Sequence, residues 1–234
     1  MASRDHDHET FTGVILRTRL ERGAPQTTTG ETMNRRFFHV DSDESLAAGQ
    51  ELKTRPIPDS INEPVRNCFT DVFPDGVSTW GFAYLFESHG EGLVFDELSA
   101  AEHGLEGEER TKAMRRARNR VIELIAELIR VHWAPERPSR LSSIFAYSKI
   151  EAAEEFRETR CVNAGVPIWE IEAEQAFGCD ASWLGLGDSM PKIALRTKRY
   201  WDGTTRPGSF PVDHEHLLTG AVTVVRKRDQ PLDI

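Results

Sequence analysis

With 234 residues the chain can form one large domain or two small ones, and it is long enough to bury a core of its own. Its 38 acidic side chains outnumber 29 basic ones, and the net charge of -9 argues against broad affinity for nucleic acid or anionic membranes. Mean hydropathy is -0.48, and no run approaches the roughly 18 apolar residues of a membrane span, so a cytoplasmic protein is expected. Cys68, Cys161 and Cys179 are scattered without metal-ligand spacing and read as reduced, buried thiols.

Residues 1–31 read as a polar, turn-rich tail, and residues 32–234 as one domain. Within the tail, Val14-Ile15-Leu16 is the sole apolar patch, and His6-Asp7-His8 reads as solvated. Arg35 to Val40 is the first expected strand, with Phe37 and His39 on one face and Phe38 and Val40 on the other. A turn with a helical stub is expected over 41–49, then an extended stretch to Pro58. Asp75-Gly76 supplies turn chemistry, and Phe82 to Phe86 reads as a helix or a strand that Gly90 and Gly92 break.

The longest helix is expected from Glu106 to Trp133, within an insertion of about 105–134. Met114, Ala117, Val121, Leu124, Ile125, Leu128 and His132 recur at three-and-four spacing, which predicts the buried face. Arg110, Lys112, Arg115, Arg116, Arg118 and Arg120 make its first half basic. That half is a solvated face or a docking surface for phosphate or an acidic partner, such as an antitoxin.

Pro135 and Pro138 keep the next stretch out of helical geometry. Leu141 to Tyr147 then reads as a short strand carrying Leu141, Ser143, Phe145 and Tyr147 on one face. Ser148 and Glu151 have the spacing of a capping box for a following helix. A strand over 166–172 and a loop over 177–188 come next. Ile193 to Trp201 reads as helix or strand, and His214 to Val225 as a bulged strand around Thr219-Gly220. His214 and His216 suggest a metal, but alternation puts them on the face opposite Glu215.

Several of these segments, in order, carry a resemblance. Phe37-Phe38-His39-Val40, Phe73-Pro74-Asp75-Gly76-Val77-Ser78, Pro138 to Ala146, Tyr200-Trp201-Asp202-Gly203 and Glu215-His216-Leu217-Leu218 together resemble the ADP-ribosyltransferase superfamily, over roughly Arg35 to Arg226. The similarity is greatest to a bacterial family of uncharacterised proteins with that fold. It implies an α+β fold of split small sheets forming an NAD cleft, with the long helix inserted beside it. It also implies mono-ADP-ribosyl transfer from NAD to a protein or nucleic-acid acceptor, releasing nicotinamide, in a toxin-like role.

The chemistry fits the residue types. Breaking the nicotinamide bond develops an oxocarbenium-like ribose, which a carboxylate stabilises. By position the resemblance gives that role to Glu215, with Glu170 and Glu172 as competitors. It gives nicotinamide stacking to Phe145 or Tyr147, and the adenosine ribose to His39. A second branch of the superfamily uses arginine and serine instead, which Arg140, Ser142 and Ser143 echo; there Arg140 would contact the NAD diphosphate. Two alternatives accompany this reading: an NAD glycohydrolase, with water as acceptor, and a non-enzymatic NAD or ADP-ribose binder.

Overall fold

The long continuous strands near the C-terminus decide the architecture. In the structure, a computed structural model describing residues 35–85, 107–161 and 163–228, β4 (Ile168–Asp180) and β5 (His214–Arg228) pair antiparallel along their whole length. Every other strand attaches to this ribbon. β1 (Arg35–Val40) lies antiparallel along the first half of β4. β2 (Glu51–Leu52) and β3 (Ile144–Ala146) both line the free edge of β5. Two register shifts, at Glu170/Ile171 and at Ala173/Gln175, bend the ribbon, and Gly220 beside the second has a φ of 74°.

The bending brings the ends of the sheet together. Just past β3, Tyr147 and Phe38 exchange both backbone hydrogen bonds at 2.8 Å, so β1, β4, β5 and β3 form a closed ring of pairings. The expected pair of small sheets is thus one five-stranded antiparallel sheet among the described residues, because β4 and β5 each run through both halves. The class is α+β, with five α-helices among the described residues: α1 (Glu63–Val72), α2 (Thr79–Leu85), α3 (Gly107–Trp133), α4 (Ile150–Arg160) and α5 (Met190–Trp201).

One face of the sheet holds a core of Phe37, Ala146, Trp169, Ile171, Ala173, Leu218, Val222 and Val224. On the other face, α4 covers Val40, Tyr147 and Ile168 through Ala152 and Ala153. Farther along that face, α3 and α5 cover Cys179 and Leu217 with Ala126, Tyr200 and Trp201. Small residues let these helices approach closely: Ala117 and Ala126 are fully buried, and the Trp201 indole donates to the Ala126 carbonyl at 2.8 Å.

Several expectations change here. The long helix runs to Trp133 as expected, but its apolar stripe faces inward only in part: Ala117 is buried and Val121 and Ile125 are half-buried, while the rest points out. Met114, Leu124, Leu128 and Val131 are exposed, whereas Glu123 and Ala126 are buried. Periodicity finds a stripe without finding its neighbour. In the second half of α3 the inward positions instead carry carboxylates that meet Arg140 and Ser139. No stub forms over 41–49, where there are turns alone. The capping box at Ser148 is also absent. α4 begins after Lys149 and has no side-chain cap. Residues 177–180, expected as loop, belong to β4, because Phe177 and Cys179 find partners in Leu217 and Glu215. The 1–31 tail with its Val14-Ile15-Leu16 patch and His6-Asp7-His8 lies outside the described residues, as do Gly90 and Gly92 and the side chains of Lys112 and Arg116.

The Pro74-Asp75 turn closes as expected, with Gly76 at a φ of 81° donating to the Phe73 carbonyl. It delivers Ser78 to the start of α2. There the Ser78 hydroxyl oxygen accepts from the Gly81 amide at 3.1 Å, a cap on the third helical residue. Ser78 also donates its own amide and hydroxyl to the Leu141 carbonyl. Gly81 therefore lies against that same carbonyl, and a Cβ there would stand 1.9 Å from its oxygen. Gly81→Ala should cost about 1–3 kcal/mol through forced displacement of α2. Urea unfolding would show this, and an unchanged midpoint would mean that α2 does not dock as described.

Candidate functional site

The segment that precedes β3 brings a charge into the protein. Arg140 follows the Pro135–Pro138 loop and is only 6% exposed. Its Nε and Nη2 donate to the two oxygens of Glu123 at 2.7 and 2.9 Å, a bidentate pair with α3. Its Nη1 donates to the Tyr200 hydroxyl and to Glu215 Oε1. The guanidinium lies between the rings of Phe145, at 4.8 Å, and Tyr200, at 5.2 Å. One arginine thus joins α3, α5 and β5.

Glu215 is 8% exposed and sits at the start of β5. Tyr200 donates to its Oε1 at 2.7 Å, and the Cys179 thiol contacts the Tyr200 oxygen at 3.0 Å. Burial pushes the Glu215 carboxyl above its usual range, and neither Arg140 nor Tyr200 reverses the shift, since the nearby Glu123 carboxylate adds to it. Burial also raises the Tyr200 and Cys179 groups far above their ordinary values, so both are neutral donors near pH 7. Arg140 stays charged: burial alone would lower its pKa, but Glu123 and Glu215 outweigh that. The cluster therefore holds two carboxylates against one cation.

Strand register settles which expected residues join it. Phe145 pairs with Leu217 and Ala146 with His216, which carries Tyr147 to the position across from Glu215. Phe145, Tyr147 and Glu215 share one face, and burial raises the Tyr147 hydroxyl, with the charge of Glu215 adding to the effect. Trp80 and Tyr84 of α2 extend this aromatic wall; Trp80 meets Phe145 edge-on at 5.4 Å and Tyr84 at 4.5 Å. Trp80 remains 39% exposed, and burial pushes the Tyr84 hydroxyl up to about 12, with Glu123 adding to the shift.

His39, Ser142 and Ser143 do not join. Phe38 pairs with Tyr147, so the next residue, His39, turns to the opposite face, across from Trp169. Its Nδ1–H donates to the Phe145 carbonyl at 2.7 Å, and burial lowers its pKa, which leaves the ring neutral. Ser142 donates to the Gly76 carbonyl at 3.0 Å and Ser143 to the Ser139 carbonyl at 2.6 Å, so both hydroxyls fasten the loop. His216 also faces away from Glu215 and packs on Phe37 at 5.1 Å, while His214 contacts the Ser209 hydroxyl at 2.8 Å. The competitor Glu170 lies under Arg36, Arg226 and Arg228, and Glu172 pairs with Arg36.

Sequence reasoning missed Glu123 and Cys179. A signal existed for the first. Glu123 interrupts the apolar run Val121-Ile122 and Leu124-Ile125, and a charge so placed asks for a buried partner. Cys179 is buried as expected, whereas Cys68 is exposed and Cys161 half-buried; the loop expected over 177–188 gives Cys179 no place in the centre. Tyr200 stands in the aromatic block Tyr200-Trp201-Asp202-Gly203, which by itself gives it no role.

The fold and cluster define an α+β protein with a buried carboxylate–arginine–tyrosine centre. Residues 37–230 match the family described as "Protein of unknown function (DUF2441)", and the chain belongs to that family. No match to a curated protein was found. Among the described residues, no helix is long and apolar enough to cross a membrane.

Proposed function

We propose that the chain binds NAD over the aromatic wall beside Glu215, cleaves it at the nicotinamide bond and transfers ADP-ribose to a macromolecular acceptor, protein or nucleic acid. One observation carries this reading: Glu215 shares a face with Tyr147 and Phe145, and touches Arg140 and Tyr200. A carboxylate with a raised pKa, held by a neutral hydroxyl donor, suits stabilisation of a developing oxocarbenium and activation of an acceptor. Trp80 and Phe145 offer flat faces to a nicotinamide ring. In the ADP-ribosyltransferase resemblance, Arg140 beside Glu215 favours the arginine-containing branch, because His39 turns to the other face. The split-sheet NAD cleft of that superfamily belongs to the same proposal. The exposed Arg110, Arg115 and Arg118 of α3 stand away from the cluster, available to an acidic partner.

A second reading has its own support. Arg140 is fully paired with Glu123 and Glu215, and both serines are committed to carbonyls. Such a network can hold the fold without chemistry, leaving an NAD-binding or interaction module. Incubation with NAD labelled on both the nicotinamide and the adenylate, in the presence of lysate, separates the readings. Released nicotinamide with label on protein or nucleic acid supports the transferase. Released nicotinamide with free ADP-ribose means hydrolysis, and intact NAD removes the enzyme reading.

A further inference from the structure

A second charged assembly lies at the far end of the β4–β5 ribbon. Glu170 is 2% exposed, yet three guanidiniums converge on it. Arg36 Nη1 reaches its Oε1 at 3.0 Å, while Arg226 Nε and Arg228 Nη2 reach its Oε2 at 2.9 and 3.2 Å. The register shift at Glu170/Ile171 makes this geometry. An extra residue in β5, Val225, puts Arg226 and Arg228 on the face that Glu170 shares with Phe38.

The arginines are not used up by the pairing. Their side chains are 63%, 58% and 42% exposed, in the order Arg36, Arg226 and Arg228. Among the described residues, Arg226 engages its Nε and Arg228 one terminal nitrogen. Arg36 engages Nε with Glu172 at 3.1 Å and Nη1 with Glu170. Among the described residues, two carboxylates, Glu170 and Glu172, stand against the three cations, so the assembly described keeps a positive balance on a chain of net charge -9. Arg228 also lies 5.5 Å from the centre of the Phe38 ring, an aromatic floor beside the open forks.

We propose that Arg36, Arg226 and Arg228 form a binding site for a phosphoryl group, with Glu170 as the buried anchor that holds the three forks together. Outward N–H donors from three planar forks match the oxygens of a phosphate or diphosphate. Preorientation by one buried carboxylate lowers the cost of ordering long side chains on binding. A small phosphorylated ligand fits better than a polyanion, because the forks surround one point and the chain as a whole is acidic.

The proposal stands on the arginines and does not rest on NAD cleavage. Titration calorimetry of the full chain with inorganic pyrophosphate at low salt is the test. Binding that weakens with added salt is expected, and R226Q/R228Q should reduce it about tenfold or more, the scale of lost charge-assisted hydrogen bonds. Arg36→Gln, at the most exposed of the three, provides a variant whose folding is least at risk and should weaken binding in the same direction. ADP-ribose binding tighter than pyrophosphate would identify a nucleotide as the source of the phosphoryl group. Equal or tighter pyrophosphate would identify a free diphosphate. The site is overturned if the wild type does not bind pyrophosphate, if folded R36Q and R226Q/R228Q proteins bind it unchanged, or if a single-stranded oligonucleotide binds far more tightly through the same arginines. Absent pyrophosphate binding with NAD cleavage retained would sink this site alone; the reverse would sink the enzyme reading alone.

Discussion

Arg140→Met should unfold the protein more readily than any other single change in the described region, by about 3–5 kcal/mol, the range for stripping one partner from a buried ion pair. The reason is local charge. Glu123 and Glu215 both lean on this guanidinium, and without it two buried carboxylates face each other uncompensated. For a chain of this size each kcal/mol moves the thermal midpoint by roughly 2–4 °C, so the loss is easily read by thermal melting. The triple variant E123Q/R140M/E215Q should recover much of it, because the unpaired charges are then gone. A midpoint for Arg140→Met within a degree or two of wild type would refute the account of the centre.

The same centre sets a pH dependence. The folded-state pKa of Glu215 lies above its unfolded value, so the native state binds the extra proton first. As pH falls from neutral through the raised pKa, this residue makes a growing favourable contribution, complete once pH is below the ordinary carboxylate range. Going the other way, that contribution is lost as pH rises through the same interval. Glu215→Gln should abolish this part of the profile, visible as a difference between the two stability curves on the acid side of neutrality.

Glu215→Gln is also the change with the largest expected effect on turnover. The amide keeps the size and leaves Arg140 paired with Glu123, so the fold should survive. What disappears is the charge that would meet the oxocarbenium. Losing one preorganised electrostatic stabiliser typically costs about a hundred- to a thousandfold in rate. NAD affinity should change little, because the charge acts mainly in the transition state. Nicotinamide release and equilibrium NAD binding, measured on the same preparation, separate the two effects. Near-normal turnover in the glutamine variant would remove Glu215 from the chemistry.

The sequence alone determined what depends on near neighbours in the chain. β1 falls on residues 35–40 because its aromatic and β-branched residues favour a strand locally, and the Pro74-Asp75 turn closes because Gly76 can adopt a positive φ. The bulge in β5 was legible in Thr219-Gly220, and the opposed faces of Glu215 and His216 in strand alternation. Tertiary structure decided everything that depends on which surfaces meet. A single curled sheet arises because β4 and β5 each pair through both halves, a long-range fact invisible to period or composition. The outward turn of Leu124 and Leu128 on α3 follows from Arg140, whose buried guanidinium requires the carboxylate of Glu123 on the inner side. His39 left the candidate centre through the Phe38–Tyr147 pairing, while Tyr200 and Cys179 entered it because α5 and β4 pack beside β5. Local chemistry names which side chains can react. Register and helix docking, set by burial across the whole chain, decide which of them stand together.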